Sequence, residues 1–190
     1  MSHAIQRRPR LRAAAVSAVL AAGALVPLST AGPADAAPYC GITWGSGAKT
    51  ASPMSTDTVR NVRAGRQACF DRLVVDLSGY DRSVGYSVRY VSAVTGTPGT
   101  PVPLAGAADL QINLWAPAYD GSGRATYRPA DPMHAVNVSG YQTFRQVAYV
   151  DSFEGETTLG LGVRARLPMR AFVIQDAAGQ RLVIDVAHRW

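Results

Sequence analysis

FDRLVVDL, residues 70–77, sets the period of the chain: Leu73, Val75 and Leu77 stand two apart and share one face of an extended backbone. The same alternation recurs on either side. In VGYSVRYV (84–91) the shared face carries Val84, Tyr86, Val88 and Tyr90. In ADLQINLWA (108–116) Leu110, Ile112 and Leu114 point one way, and Gln111, Asn113 and Trp115 the other. Further strands are predicted at VNVSG (136–140), QVAYVDSF (146–153), TTLGLGVRARL (157–167), RAFVIQD (170–176) and RLVIDVAH (181–188), the last two joined as a hairpin across 176–180. YQTFR (141–145) fits either a helical turn or a continued strand. Gly, Pro and Asp punctuate the runs, so the reading is an all-β chain of short, mostly antiparallel strands, a sandwich or a barrel.

Two loops interrupt this order, TGTPGTPVP (95–103) and PAYDGSGRATYRPADPMH (117–134). The second is long enough to be functional, although its Gly and Pro content favours decoration. RLVVDL (72–77) and RLVIDV (181–186) nearly repeat one another. Either Arg-x-Val-x-Asp is simply a good strand, or the chain holds two related halves that form two facing sheets. Ion pairing on one sheet face accounts for Asp76 and Asp185, each four residues after an arginine (Arg72, Arg181).

The first residues read as an export signal. Arg7, Arg8, Arg10 and Arg12 precede an apolar run, Ala13 to Leu28, that Gly23 and Pro27 interrupt and that is too short to span a bilayer. Cleavage after the small-x-small site Ala34-Asp35-Ala36 leaves 190 − 36 = 154 residues with no second apolar span. Cys40 lacks a lipid-attachment box, and general secretion is favoured, with Arg7-Arg8 leaving the twin-arginine route open. The expected organisation is a signal segment over 1–36, a Gly/Ser/Pro-rich arm over 37–60 that tethers but buries no periodic face, and a β-domain over 61–190. Trp44 is the arm's one large anchor.

Removing four arginines and one aspartate leaves 15 − 12 = +3, with no basic tract to follow a phosphate backbone, so nucleic acid is not an expected partner. Cys40 and Cys69 are expected to pair in an oxidising compartment, which in the chain-entropy model stabilises the fold by about 3.5 kcal/mol.

RAGRQACFDRLVVDL (63–77), YSVRYV (86–91), SFEGETTLGLGVRARLP (152–168), RAFVI (170–174) and RLVIDVAH (181–188) resemble the AMIN-like family of exported actinobacterial proteins. The family is similar to the AMIN domain of cell-wall amidases, a β-sandwich accessory domain that localises its host to the envelope. The resemblance implies a sandwich fold and an envelope setting, and no catalytic role.

The residues agree with that absence of chemistry. The expected mature chain has two histidines, His134 and His188, and neither lies near Glu154 and Glu156, so no zinc site and no cofactor is expected. Gly-x-Ser-x-Gly is absent. A small hydrolase would need a site assembled in space around His134 or His188, and a carrier of an apolar ligand would need a hollow interior.

The candidate binding surface lies in TTLGLGVRARL. Leu159, Leu161, Val163, Ala165 and Leu167 alternate inward, which leaves Thr158, Gly160, Gly162, Arg164 and Arg166 on the other face, with Trp115 on the polar face of its own strand. Glycines leave backbone open to close approach, and arginines fork onto carboxylate or phosphate. The alternative is a bulge or a neighbouring aromatic covering the glycines, with solvated arginines. The function expected from all of this is a secreted or wall-associated module binding peptidoglycan, another wall polymer or an envelope protein.

Overall fold

The computed structural model describes residues 38–79, 84–177 and 179–190. The expected signal segment therefore lies outside the described residues. The strands are β1 (Lys49–Ala51), β2 (Val59–Arg66), β3 (Phe70–Leu77), β4 (Tyr86–Val91), β5 (Val94–Thr95), β6 (Pro101–Val102), β7 (Ala108–Leu114), β8 (Phe144–Phe153), β9 (Glu156–Val163), β10 (Met169–Asp176) and β11 (Gly179–Ala187). Only two 3-10 turns, Tyr39–Gly41 and Pro132–His134, add helical backbone among the described residues. Two antiparallel sheets, ordered β1-β4-β7-β9-β8 and β10-β11-β3-β2, make an all-β sandwich, and β5-β6 form a small separate ribbon.

The alternation seen in the sequence fills the space between the sheets. Leu73, Val75, Leu182 and Ile184 from one sheet meet Leu110, Ile112, Leu159 and Leu161 from the other, all fully buried in one cluster. Each such side chain contributes about 2 kcal/mol by leaving water. These side chains fill the space between the two sheets.

Several expectations differ from the structure for identifiable reasons. VNVSG (136–140) is not a strand: the Asn137 side chain accepts the Ser139 N–H at 3.0 Å, and Gly140 takes a φ of 75°, so the chain turns there. β2 escapes a period-two reading because a bulge between Val59 and Asn61 puts its buried valines, 59 and 62, three apart. The arm does more than tether, since Lys49–Ala51 adds an edge strand to β4 and the Met169 N–H bonds the Gly45 carbonyl. The echoing segments are neighbours in one sheet instead of facing halves. Antiparallel pairing of β3 with β11 sets Arg72 opposite Asp185 and Arg181 opposite Asp76, so the repeat is a matched charge register. Asp185 has no exposed side-chain surface and takes Arg72 at 2.7 Å and Arg170 at 2.7 Å. Asp76 instead pairs with Arg63, and Arg181 with Asp176.

The expected disulfide Cys40–Cys69 is present. It holds the arm against β3, where Trp44 packs on Phe70 with ring centroids 5.9 Å apart and Arg170 lies over both rings.

Two buried polar knots join the sheets. At one pole, Asp71 Oδ2 accepts the backbone N–H groups of Thr143 at 2.6 Å and Phe144 at 3.1 Å, and Oδ1 lies 3.2 Å from His188 Nε2. At the other, Gln180 accepts the Val84 N–H and donates to Asp57. Replacing Asp71 by alanine strands two buried N–H donors and should cost about 3 kcal/mol, measured as a lowered urea midpoint with unchanged slope.

The 117–134 loop is held to the sandwich by Thr126 Oγ1, which donates to the Val59 carbonyl, and by Tyr127, which packs edge-on against Tyr149. The Tyr127 hydroxyl is buried without a hydrogen-bond partner, and burial pushes its pKa up to about 12. The folded state therefore holds this proton more tightly than the unfolded chain, and stability falls as pH rises from the ordinary tyrosine value, about 10, toward 12. Tyr127→Phe should raise the thermal midpoint at neutral pH, by a gain of about 1 kcal/mol, and lessen that alkaline fall.

Candidate ligand-binding site

The outer face of β9 is not an open cleft. The chain after β4 runs through the β5-β6 ribbon and lays Leu104 and Ala105 across it. A Cβ on Gly160 would come within 3.0 Å of Leu104 Cδ1 and 3.3 Å of Val94 Cγ1, and one on Gly162 would collide with the Ala105 carbonyl oxygen. The glycines thus make room for a strap of the protein's own backbone. Its covering side chains are aliphatic, unlike the aromatic weighed from sequence. Gln111 and Gln146 complete the strap by accepting the N–H groups of Thr95 at 3.1 Å and Ala105 at 2.7 Å.

The other residues of the expected face are also redistributed. Thr158 is 4% exposed and accepts a hydrogen bond from Asn113 at 3.3 Å. Trp115 donates its indole N–H to Glu156 Oε2 at 3.2 Å and packs on Gly85, where a Cβ would collide with the ring. Its indole face is therefore used internally. β9 ends at Val163, so Arg164 and Arg166 lie past the strand instead of continuing the glycine face. Arg164 donates to the His188 carbonyl. Of the six candidates, Arg166 lines an accessible groove.

That groove, about 450 Å³, runs between the ends of β4 and β7 and is lined by Tyr90, Ser92, Leu104, Ala108, Asp109 and Arg166. The Arg166 guanidinium carbon sits 4.8 Å from the Tyr90 ring centroid. Tyr90 is fixed at its far end, donating its hydroxyl to the Leu167 carbonyl at 2.7 Å and accepting the Leu167 N–H at 2.9 Å. Arg166 makes one long contact to the Ser46 carbonyl, 3.5 Å, which leaves most of its donors free. Asp109 is the second residue of β7, and burial raises its pKa above the ordinary value. No side-chain hydrogen bond or ion pair compensates it among the described residues. A guanidinium on an aromatic face and an unpaired carboxyl thus share one groove.

Sequence favours the core for Tyr90 over a sugar-stacking platform with Tyr86 and Trp115, and Asp109 does not stand out. The nearest signal is that Asp109 is the one acidic side chain in ADLQINL.

Both histidines among the described residues contact carboxylates. His188 is buried beside Asp71 in the polar knot. His134 Nδ1 is 2.8 Å from Asp131 Oδ2, on a 3-10 turn that Asp131 caps by accepting the Met133 and His134 N–H groups. His134 lines a second hollow, about 310 Å³, with Ser139 and Arg145. Among the described residues no serine hydroxyl hydrogen-bonds either ring, and no three His, Cys, Asp or Glu side chains are grouped to hold a metal. The His134–Asp131 pair is explained by the capped turn.

The AMIN-like domain family model matches residues 57–188, and the chain belongs to the AMIN-like family. Membership places it among cell-wall-associated modules that are not catalytic. No curated protein and no solved structure matches the chain. No helix among the described residues is long and apolar enough to cross a membrane.

Gly162→Ala forces the Leu104–Ala105 strap off β9. We expect a loss of about 1–3 kcal/mol in chemical denaturation, with faster amide exchange at Thr95 and Ala105.

Proposed function

We propose that the protein is a secreted module that recognises a cell-wall component through the Tyr90–Arg166–Asp109 groove. The observation that carries this is the pairing of a free guanidinium on a fixed aromatic face with a partly desolvated, unpaired carboxyl. A carboxyl held above its ordinary pKa by burial lowers stability when it ionises, so it is better explained by a ligand than by the fold. The ring offers a stacking face, Arg166 a fork for carboxylate or phosphate, and Asp109 an acceptor for hydroxyl or ammonium.

Export is supported by the arginine-flanked apolar run at the start of the sequence and by the disulfide, which fits an oxidising compartment. On this reading residues 1–36 are removed, 37–60 form the arm, and 61–190 carry the binding domain. Gly160 and Gly162 then seat the strap beside the groove, Thr158 and Trp115 lie toward the far ends of β9 and β7, and Arg166 of that set touches ligand.

The test is co-sedimentation of the purified protein with insoluble bacterial cell wall at low and high salt. We expect pull-down that weakens with salt, and about tenfold weaker binding by Arg166→Ala with an unchanged thermal midpoint. Full binding by folded Arg166→Ala removes the groove from the reading. No sedimentation of the unsubstituted protein at either salt overturns wall recognition and points to an envelope protein as the partner.

A further inference from the structure

Five exposed arginines, Arg66, Arg145, Arg164, Arg166 and Arg189, lie at one pole of the sandwich, beside the ends of β2, β8, β9 and β11. The pairings Arg66 with Asp71, Phe144 with Val163 and Ala187 with Phe70 bring these strand ends together within each sheet. Thr143 Oγ1, donating to the Ala187 carbonyl, and the Arg164 guanidinium, donating to the His188 carbonyl, join the sheets there.

None of the five makes an ion pair among the described residues, whereas Arg63, Arg72, Arg124, Arg170 and Arg181 all do. Carbonyls and rings hold them instead. Arg66 lies over Tyr141, Arg166 over Tyr90 and Arg189 over Tyr39. Arg145 donates to the carbonyls of Tyr141, Gln142 and Phe144. Such contacts orient a guanidinium without cancelling its charge.

The nearby carboxylates do not neutralise this crown. Asp71 and Asp185 are buried and already bonded, Asp109 faces the groove, and Asp131 is held by its own 3-10 turn and His134. Asp57, Glu154, Glu156 and Asp176 gather at the opposite pole, at or beside the ends of β2, β8, β9 and β10. The modest overall charge therefore conceals a directional field.

Five oriented, unneutralised guanidiniums spread around one rim suit a ligand with repeated anionic groups better than a single anion. We infer that this pole binds an extended anionic polymer of the cell envelope, one with a singly charged phosphodiester or carboxylate group in each repeat. The inference rests on the wall-recognition reading and names the class of wall component.

The test measures affinity of the purified protein for poly(glycerol phosphate) and for polygalacturonate across salt, with dextran and duplex DNA alongside. We expect one or both anionic polymers to bind, with affinity falling about 100-fold from 50 to 200 mM salt if all five arginines engage. The double variant Arg66→Gln, Arg145→Gln, whose residues lie outside the groove, should bind about tenfold more weakly and flatten the log–log salt slope by about 1.4. Arg60→Gln, an exposed change at the opposite pole, should leave both unchanged. The salt slope of the unsubstituted protein is independent of how the variants fold. No binding of either polymer, dextran binding as well as they do, DNA binding as tightly or tighter, or equal losses from Arg60→Gln would each overturn the inference. Polymer failure with retained wall sedimentation overturns the polyanion alone, whereas polymer binding without wall sedimentation overturns wall recognition.

Discussion

The buried carboxylate of Asp71 is the constraint on which the arginine-bearing pole depends. It sits on β3 in one sheet yet accepts the N–H groups of Thr143 and Phe144, where β8 enters the other, and it faces His188 just beyond β11. A two-sheet packing held only by aliphatic side chains tolerates sliding, because dispersion and burial are not directional. Asp71 removes that freedom at the rim. Its two backbone bonds set how far β8 stands from β3, and the neighbouring contacts of Thr143 with Ala187 and Arg164 with His188 lie beside them. The groove and the crown of guanidiniums are built on the strand ends that this knot fixes.

The sandwich was legible in the sequence wherever a strand keeps strict alternation and an apolar inner face. Leu73, Val75 and Leu77, and likewise Leu110, Ile112 and Leu114, lie where a period of two puts them. Legibility failed where the backbone departs from that period. The bulge in β2 hid a whole strand, and β5 and β6, two residues each, are too short to carry a pattern. The site was less legible than the fold because it is assembled from separated segments. Gly160 and Gly162 do mark a close backbone approach, as small residues in a strand should. The approaching backbone is the protein's own, from Leu104 and Ala105, and no local pattern on β9 can distinguish that from a ligand.

The arginines show the same limit. Their positions, 66, 145, 164, 166 and 189, form no run, and the small net charge of the expected mature chain argued only against a nucleic-acid partner, while Arg164 and Arg166 alone of the five stood out as an anion-binding pair. Topology sorts them. Arginines in mid-sheet meet aspartates across the strands, as Arg72 and Arg170 meet Asp185 and Arg63 meets Asp76, because cross-strand register delivers a partner. Arginines at or beyond strand ends make no ion pair among the described residues: Arg66 stands opposite Asp71, but that carboxylate is buried and bonded to Thr143 and Phe144, and all five settle on carbonyls and rings. Sequence order carries the first kind of pairing when the register is known, and conveys nothing of the second.

The pairing of β3 with β11 also dictates the order in which the chain can acquire structure. β11 is the last strand made, yet it lies between β3 and β10, near the middle of its sheet. While a ribosome is still producing residues 179–187, β3 and β10 lack the neighbour that joins them, although every strand of the opposing five-stranded sheet has been made. The four-stranded sheet can close only after its final segment emerges, through contacts that span more than a hundred residues, and long loops of this kind fold slowly. A chain wired in this way leaves its four-stranded sheet open until late in synthesis.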